Sequence, residues 1–222
     1  MDISSGKKSR TYQIPITGSV TLEGNLSIPE QPHGVVLFVH GSGSSRFSPR
    51  NQYVARVLQE AGFATLLIDL LTPQEEEQDR STGHVRFNID LLSERVVQVT
   101  NWLTEQPGIR DLRVGYFGAS TGAAAALVAA ARLSQVVRAV VSRGGRPDLA
   151  RPFLPGIKAP TLLIVGSRDT QVIQLNQMAL SLLQVEKRLT LIEGATHLFE
   201  EAGALEQVAR LAREWFERYL PV

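Results

Sequence analysis

Gly118-Ala119-Ser120-Thr121-Gly122 stands between an apolar run ending at Phe117 and an alanine-rich stretch. A Gly-x-Ser-x-Gly pentad in a strand–turn–helix setting has the spacing of a nucleophile elbow. The turn is so tight that side chains two before and two after the serine would strike neighbouring backbone, so both positions require glycine. The serine is then thrust out above a sheet with a helix N-terminus behind it. That terminus offers free N–H groups and partial positive charge where an oxyanion would form. The competing reading is a small-residue turn in which Ser120 merely caps the helix.

A serine needs a base to become a nucleophile. His197, in Gly194-Ala195-Thr196-His197-Leu198-Phe199, follows the last predicted strand and precedes the final helix. His33 precedes the first buried strand, at the wrong end of a sheet. His40 ends a strand but begins a glycine loop, and His84 falls in an irregular acidic stretch. The acid that orients the base is expected at another C-terminal strand end, where Gly166-Ser167-Arg168-Asp169-Thr170 places Asp169. Two alternatives remain open: Asp169 capping the following helix, and Asp148 serving as the acid. Ser120, Asp169 and His197 follow one another in serine–acid–histidine order. Oxyanion donors are expected from the backbone N–H groups of Ser42, in His40-Gly41-Ser42-Gly43, and of Thr121.

These residues need strands that deliver them to one edge. Thr11 to Ile16 and Ser19 to Ile28 alternate in polarity and predict an antiparallel hairpin turning at Thr17-Gly18. Continuous apolar runs at 35–39, 64–68, 112–117, 136–141, 161–165 and 189–192 read as strands buried on both faces. Helical patterns at 51–61, 85–106, 120–133, 172–183 and 205–219 separate them. Such alternation predicts an α/β fold: a mostly parallel sheet with helices on both faces, in a single domain over 1–222, with residues 1–10 as a flexible N-terminus. Leu70 to His84 reads as an irregular loop carrying Glu75-Glu76-Glu77 at a C-terminal strand end, where ligand sites form.

Composition narrows the chemistry. The chain of 222 residues has no cysteine, which excludes disulfides, thiolate metal sites and a cysteine nucleophile. Its net charge of +1 provides no global field for nucleic acid or an anionic membrane. No apolar run approaches the roughly 20 residues that span a bilayer, and Met1 to Arg10 lacks the apolar core of a signal peptide. A cytoplasmic protein is the expectation, needing neither organic cofactor nor metal. The four histidines show no metal-ligand spacing.

The same residues admit other readings. Gly41-Ser42-Gly43-Ser44-Ser45-Arg46 begins like a dinucleotide loop with Asp69 downstream, but Arg46 occupies the third glycine position. A protein of this fold that binds without turnover would have no use for all three of Ser120, Asp169 and His197. Arg143 and Arg146 follow another strand and could recognise a substrate carboxylate or phosphate. Pairing with Asp148 or with the Glu75 to Glu77 run is the plainer expectation.

Taken together, the hairpin start, His40-Gly41-Ser42-Gly43, the 118–122 pentad, Gly166-Ser167-Arg168-Asp169 and Gly194-Ala195-Thr196-His197 resemble a small α/β-hydrolase of the dienelactone-hydrolase-like group. The resemblance runs from about Tyr12 to Leu220. It implies a serine hydrolase acting on a small-molecule ester and water, with lactones and thioesters as alternatives. Dienelactone hydrolases proper carry cysteine where this chain has Ser120, which favours ordinary esters over dienelactone. Thr121 replaces the Met or Gln frequent after the nucleophile in related esterases. The length leaves no room for an inserted cap, so the pocket is expected from 46–50, 70–84 and 143–156.

Overall fold

A computed structural model describes residues 8–221. Its eight strands are β1 (Lys8–Pro15), β2 (Thr21–Ile28), β3 (Val35–Val39), β4 (Ala64–Ile68), β5 (Val114–Ala119), β6 (Val137–Arg143), β7 (Thr161–Gly166) and β8 (Lys187–Ile192). They form one sheet in the order β1-β2-β4-β3-β5-β6-β7-β8. β3 to β8 are mutually parallel, whereas β2 runs antiparallel to both β1 and β4. All the parallel strands therefore end on the same edge.

The apolar runs work as expected for strands covered on both sides. Val35, Leu37 and Val39 of β3 face one core with α3 (Ile89–Thr104) and α4 (Thr121–Arg132). Val36 and Phe38 face the other, with α1 (Pro49–Glu60) and α6 (Ala204–Tyr219). Helix α4 is buried from Thr121 to Ala130, and small alanine side chains let it lie close under the sheet edge. Helix α5 (Thr170–Leu182) follows β7.

Several expectations change. Residues 1–7 lie outside the described residues, but Lys8, Ser9 and Arg10, expected in a flexible terminus, pair with Ile28, Ser27 and Leu26 in β1. The hairpin connection is longer than Thr17-Gly18: Ile16 N–H donates to Val20 O at 2.8 Å, with Gly18 at φ +79°. The supposed irregular loop at 70–84 contains helix α2 (Pro73–Thr82). Thr72 and Glu75 form a reciprocal capping box, Pro73 opens the helix, and Gly83 closes it at φ +67°. The segment Pro147–Gly156, also read as loop, is a 3₁₀ helix. No helix among the described residues is long and apolar enough to cross a membrane.

Candidate active site

Ser120, Asp169 and His197 each follow a strand at the C-terminal edge of the sheet; Asp169 and His197 are hydrogen-bonded, and among the described residues no hydrogen bond joins Ser120 to His197. Ser120 links β5 to α4 with φ 50° and ψ −124°, a conformation costly for a residue with a side chain. The flanking glycines make this possible. A Cβ on Gly118 would lie 2.5 Å from Ala123 Cα, and one on Gly122 only 2.2 Å from the carbonyl oxygen of His40. Ser120 makes no side-chain cap bond to α4, so the N-cap reading has no support. Its backbone is pinned instead: its N–H donates to Arg143 O at 3.2 Å, and its carbonyl accepts from Arg146 N–H at 3.1 Å.

Asp169 follows β7 and likewise makes no cap bond to α5. It meets the His197 ring, with Nδ1 and the carboxylate oxygen 2.6 Å apart. Since an ionised carboxylate only accepts, Nδ1 carries the proton and Nε2 is left with its lone pair. Asp169 is the more sheltered, at 16% side-chain exposure against 39% for His197. The loop bearing His197 is laced to the end of β7: Arg168 N–H donates to Ala195 O, and Gly194 N–H to Ser167 Oγ. Gly166 has no room for a side chain, since a Cβ would sit 2.4 Å from Ala195 O. At φ +52°, Gly144 supplies the floor beneath the His197 ring, one residue past the strand that holds the Ser120 amide. Asp148 is not available to His197, because its two carboxylate oxygens take a fork from Arg146 at 2.9 and 2.8 Å.

The loop after β3 adds a side chain that sequence reasoning set aside. Leu70 N–H donates to His40 Nε2 at 3.0 Å, which places the ring proton on Nδ1, and Nδ1 donates to Gly41 O at 2.8 Å. Burial pushes His40 below the ordinary imidazole value, outweighing the opposing effects of the Gly41 carbonyl and Asp69. Because a peptide's C=O and N–H point opposite ways, holding the Gly41 carbonyl aims the Ser42 N–H toward Thr121. In this arrangement that N–H donates to Thr121 Oγ1 at 2.9 Å. Ser42 Oγ donates to Arg86 O at 3.0 Å, so the 2.9 Å hydroxyl contact between Ser42 and Thr121 runs from Thr121 to Ser42. The only sequence hint of His40's role was its place before a glycine at a strand end.

A cleft of about 500 Å³ opens beside Ser42 and Thr121. Phe47 and Arg50 line it on one side, and Leu71, Arg80 and Arg86 on the other. The expected segments 46–50 and 70–84 therefore contribute to it, whereas 143–156 does not line it. Asp79, buried under Arg86, would be raised by burial, but the Arg86 guanidinium and the Val85 and Arg86 amides hold it well below the carboxylate range. Glu75 pairs with Arg95 and Glu77 with Arg80, so neither occupies Arg146. Asp69, the expected ribose acid of the dinucleotide reading, is engaged by the backbone and guanidinium of Arg46. Among the described residues, no group of three or more His, Cys, Asp or Glu could hold a metal ion.

A mostly parallel sheet with a strained serine elbow at its C-terminal edge defines the α/β-hydrolase class. The family model of the dienelactone hydrolase family matches residues 22–220, and the chain belongs to that family. A crystal structure of a dienelactone hydrolase from Anabaena variabilis is 60% identical, with a TM-score of 0.94, and the match covers 96% of this chain and 99% of that one. A Mycobacterium tuberculosis protein provisionally named a phosphoribosyl transferase is 59% identical over 205 residues, 92% of this chain. The chain spans 45% of that relative's length, so the name describes a much longer protein. A Bradyrhizobium protein named as a 2-oxo-3-(5-oxofuran-2-ylidene)propanoate lactonase is 27% identical over 172 residues, 68% of this chain and 69% of its own.

Proposed function

We propose that the chain hydrolyses small-molecule carboxylic esters through an acyl-enzyme on Ser120. The observation that carries this reading is the Asp169–His197 pair, 2.6 Å apart, set over Gly144 beside the strained elbow. His197 Nε2 takes the Ser120 proton as Oγ attacks the carbonyl carbon, and Asp169 stabilises the imidazolium. The amides of Ser42 and Thr121 receive the oxyanion, with the substrate oxygen replacing Thr121 Oγ1 at the Ser42 N–H. Collapse expels the alcohol with the proton from His197. Water then repeats the sequence on the acyl-enzyme and releases the acid. His40 acts as a positioning residue, because it sets the direction of the Ser42 N–H.

Lactone hydrolysis is the second reading, favoured by the family match and the lactonase-named relative. The steps are the same, with the leaving alcohol tethered to the acyl group. A fluorophosphonate probe is expected to label Ser120 in the wild type and nothing in Ser120→Ala. An unlabelled wild type removes the nucleophile and with it both readings.

A further inference from the structure

Ser120 belongs to the β5–α4 elbow and His197 to a loop laced onto β7, so their separation is set by what packs between them. The turn at 143–146 touches both. Arg143 O accepts from Ser120 N–H at 3.2 Å, and Arg146 N–H donates to Ser120 O at 3.1 Å. Gly144 lies under the imidazole, where a Cβ would stand 3.4 Å from His197 Cε1 and Nδ1. Its N–H donates to Ile164 O at 2.7 Å. The next carbonyl, on Gly145, has a side-chain partner: Asn176 Nδ2 donates to Gly145 O at 3.0 Å and to Val172 O at 2.8 Å.

Asn176 is fully buried on α5, the helix that starts directly after Asp169. Both partners are carbonyls, so only the amide nitrogen can face them, and each of its two protons is used. Its Oδ1 is buried with no partner. A buried unpaired acceptor costs stability, so a core position that needed only bulk would be filled better by an aliphatic side chain. What the amide supplies is a grip on the turn. The Arg143 guanidinium takes no part, since it reaches Asn51 on α1 and does not line the cleft.

We propose that Asn176 is a positioning residue: by holding the Gly145 carbonyl it fixes the distance between Ser120 and the Asp169–His197 pair. The assignment rests on the hydrolase reading of that site. Without the grip the 143–146 turn is free to shift while the pair stays intact, because its own bonds anchor it to the end of β7. A shift near 1 Å costs on the order of 10²-fold in rate. Residues 143–146 do not line the cleft, so substrate binding is spared.

Asn176→Leu keeps the branched outline and removes the donor. Its kcat for a 4-nitrophenyl ester is expected to fall at least about tenfold, with KM within about twofold of the wild type. Fluorophosphonate labelling of Ser120 should slow in parallel. The downfield proton resonance of His197 Nδ1–H should persist, since the bond to Asp169 is undisturbed. Thr100→Val controls for a purely structural loss: Thr100 is equally buried, and its Oγ1 shares a 2.6 Å hydrogen bond with Tyr116 OH. That variant should keep the wild-type kcat. Should Asn176→Leu fail to fold, Asn176→Ala, which only removes atoms, is read by the same criteria. A kcat within about twofold of wild type, an equal loss in Thr100→Val, or disappearance of the Nδ1–H resonance overturns the assignment. A wild type that labels and turns over no faster than Asn176→Leu removes the role of Asn176 alone. A wild type that does neither removes the hydrolase reading and this role with it.

Discussion

Gly122→Ala tests whether the elbow is held by close backbone approach. The new Cβ would stand 2.2 Å from His40 O and 2.4 Å from Val39 O, both backbone atoms. Real Cβ atoms do not come within 3.0 Å of such neighbours, so α4 and the end of β3 must part by about 0.8 Å, the difference between 3.0 and 2.2. Overpacking of this kind costs about 1–3 kcal/mol of stability. The larger effect falls on function, because the separation opens between the two segments carrying Ser42 and Thr121. A misplacement near 1 Å costs on the order of 10²-fold in rate. Urea unfolding and 4-nitrophenyl ester turnover measure the two consequences. Gly156→Ala is the control: a Cβ there meets nothing within 4 Å, so stability should stay within about 1 kcal/mol and turnover should not change. A Gly122→Ala enzyme with wild-type stability and a kcat within about threefold would refute the steric argument.

Ser120→Ala and His197→Ala should each lower kcat by at least about 10³-fold, and the double mutant little further, because the groups act as one unit. Additive losses in a kinetic cycle would contradict this. His40 predicts an acid limb in stability. Its folded-state value lies below the unfolded one, so between them the unfolded chain binds the extra proton. Stability is therefore full above the ordinary imidazole value of about 6.5 and falls as pH drops beneath it. His40→Asn should flatten that slope in denaturant melts between about pH 5 and 8, and an unchanged slope would assign it to other groups.

Much of the fold was legible because its signals are local. The continuous apolar runs mark strands covered on both faces, and each candidate residue of the Ser120, Asp169 and His197 set lies just past such a run. The glycines at 118 and 122 could be explained from the pentad alone, and the structure supplies their partners, Ala123 and the His40 carbonyl. Helix α2 was missed although Thr72, Pro73, Glu75 and Gly83 announce both its ends. It buries only Asp79 and so has no apolar stripe to betray it. Prolines at 152 and 155 similarly disguised the 3₁₀ segment as loop.

Strand ends and tight turns are written in neighbouring residues, so the candidate side chains and their chain order are legible without the fold. Tertiary structure decided how they are aimed. The tautomer of His40 depends on Leu70, and the direction of the Ser42 amide on that tautomer and on Thr121. The two arginines after β6 look alike in sequence, yet Arg146 finds Asp148 two residues on, while Arg143 is carried beneath α1 to meet Asn51 and Arg50. Charge pairing across such distances depends on which helices the sheet brings together, and no local pattern encodes it.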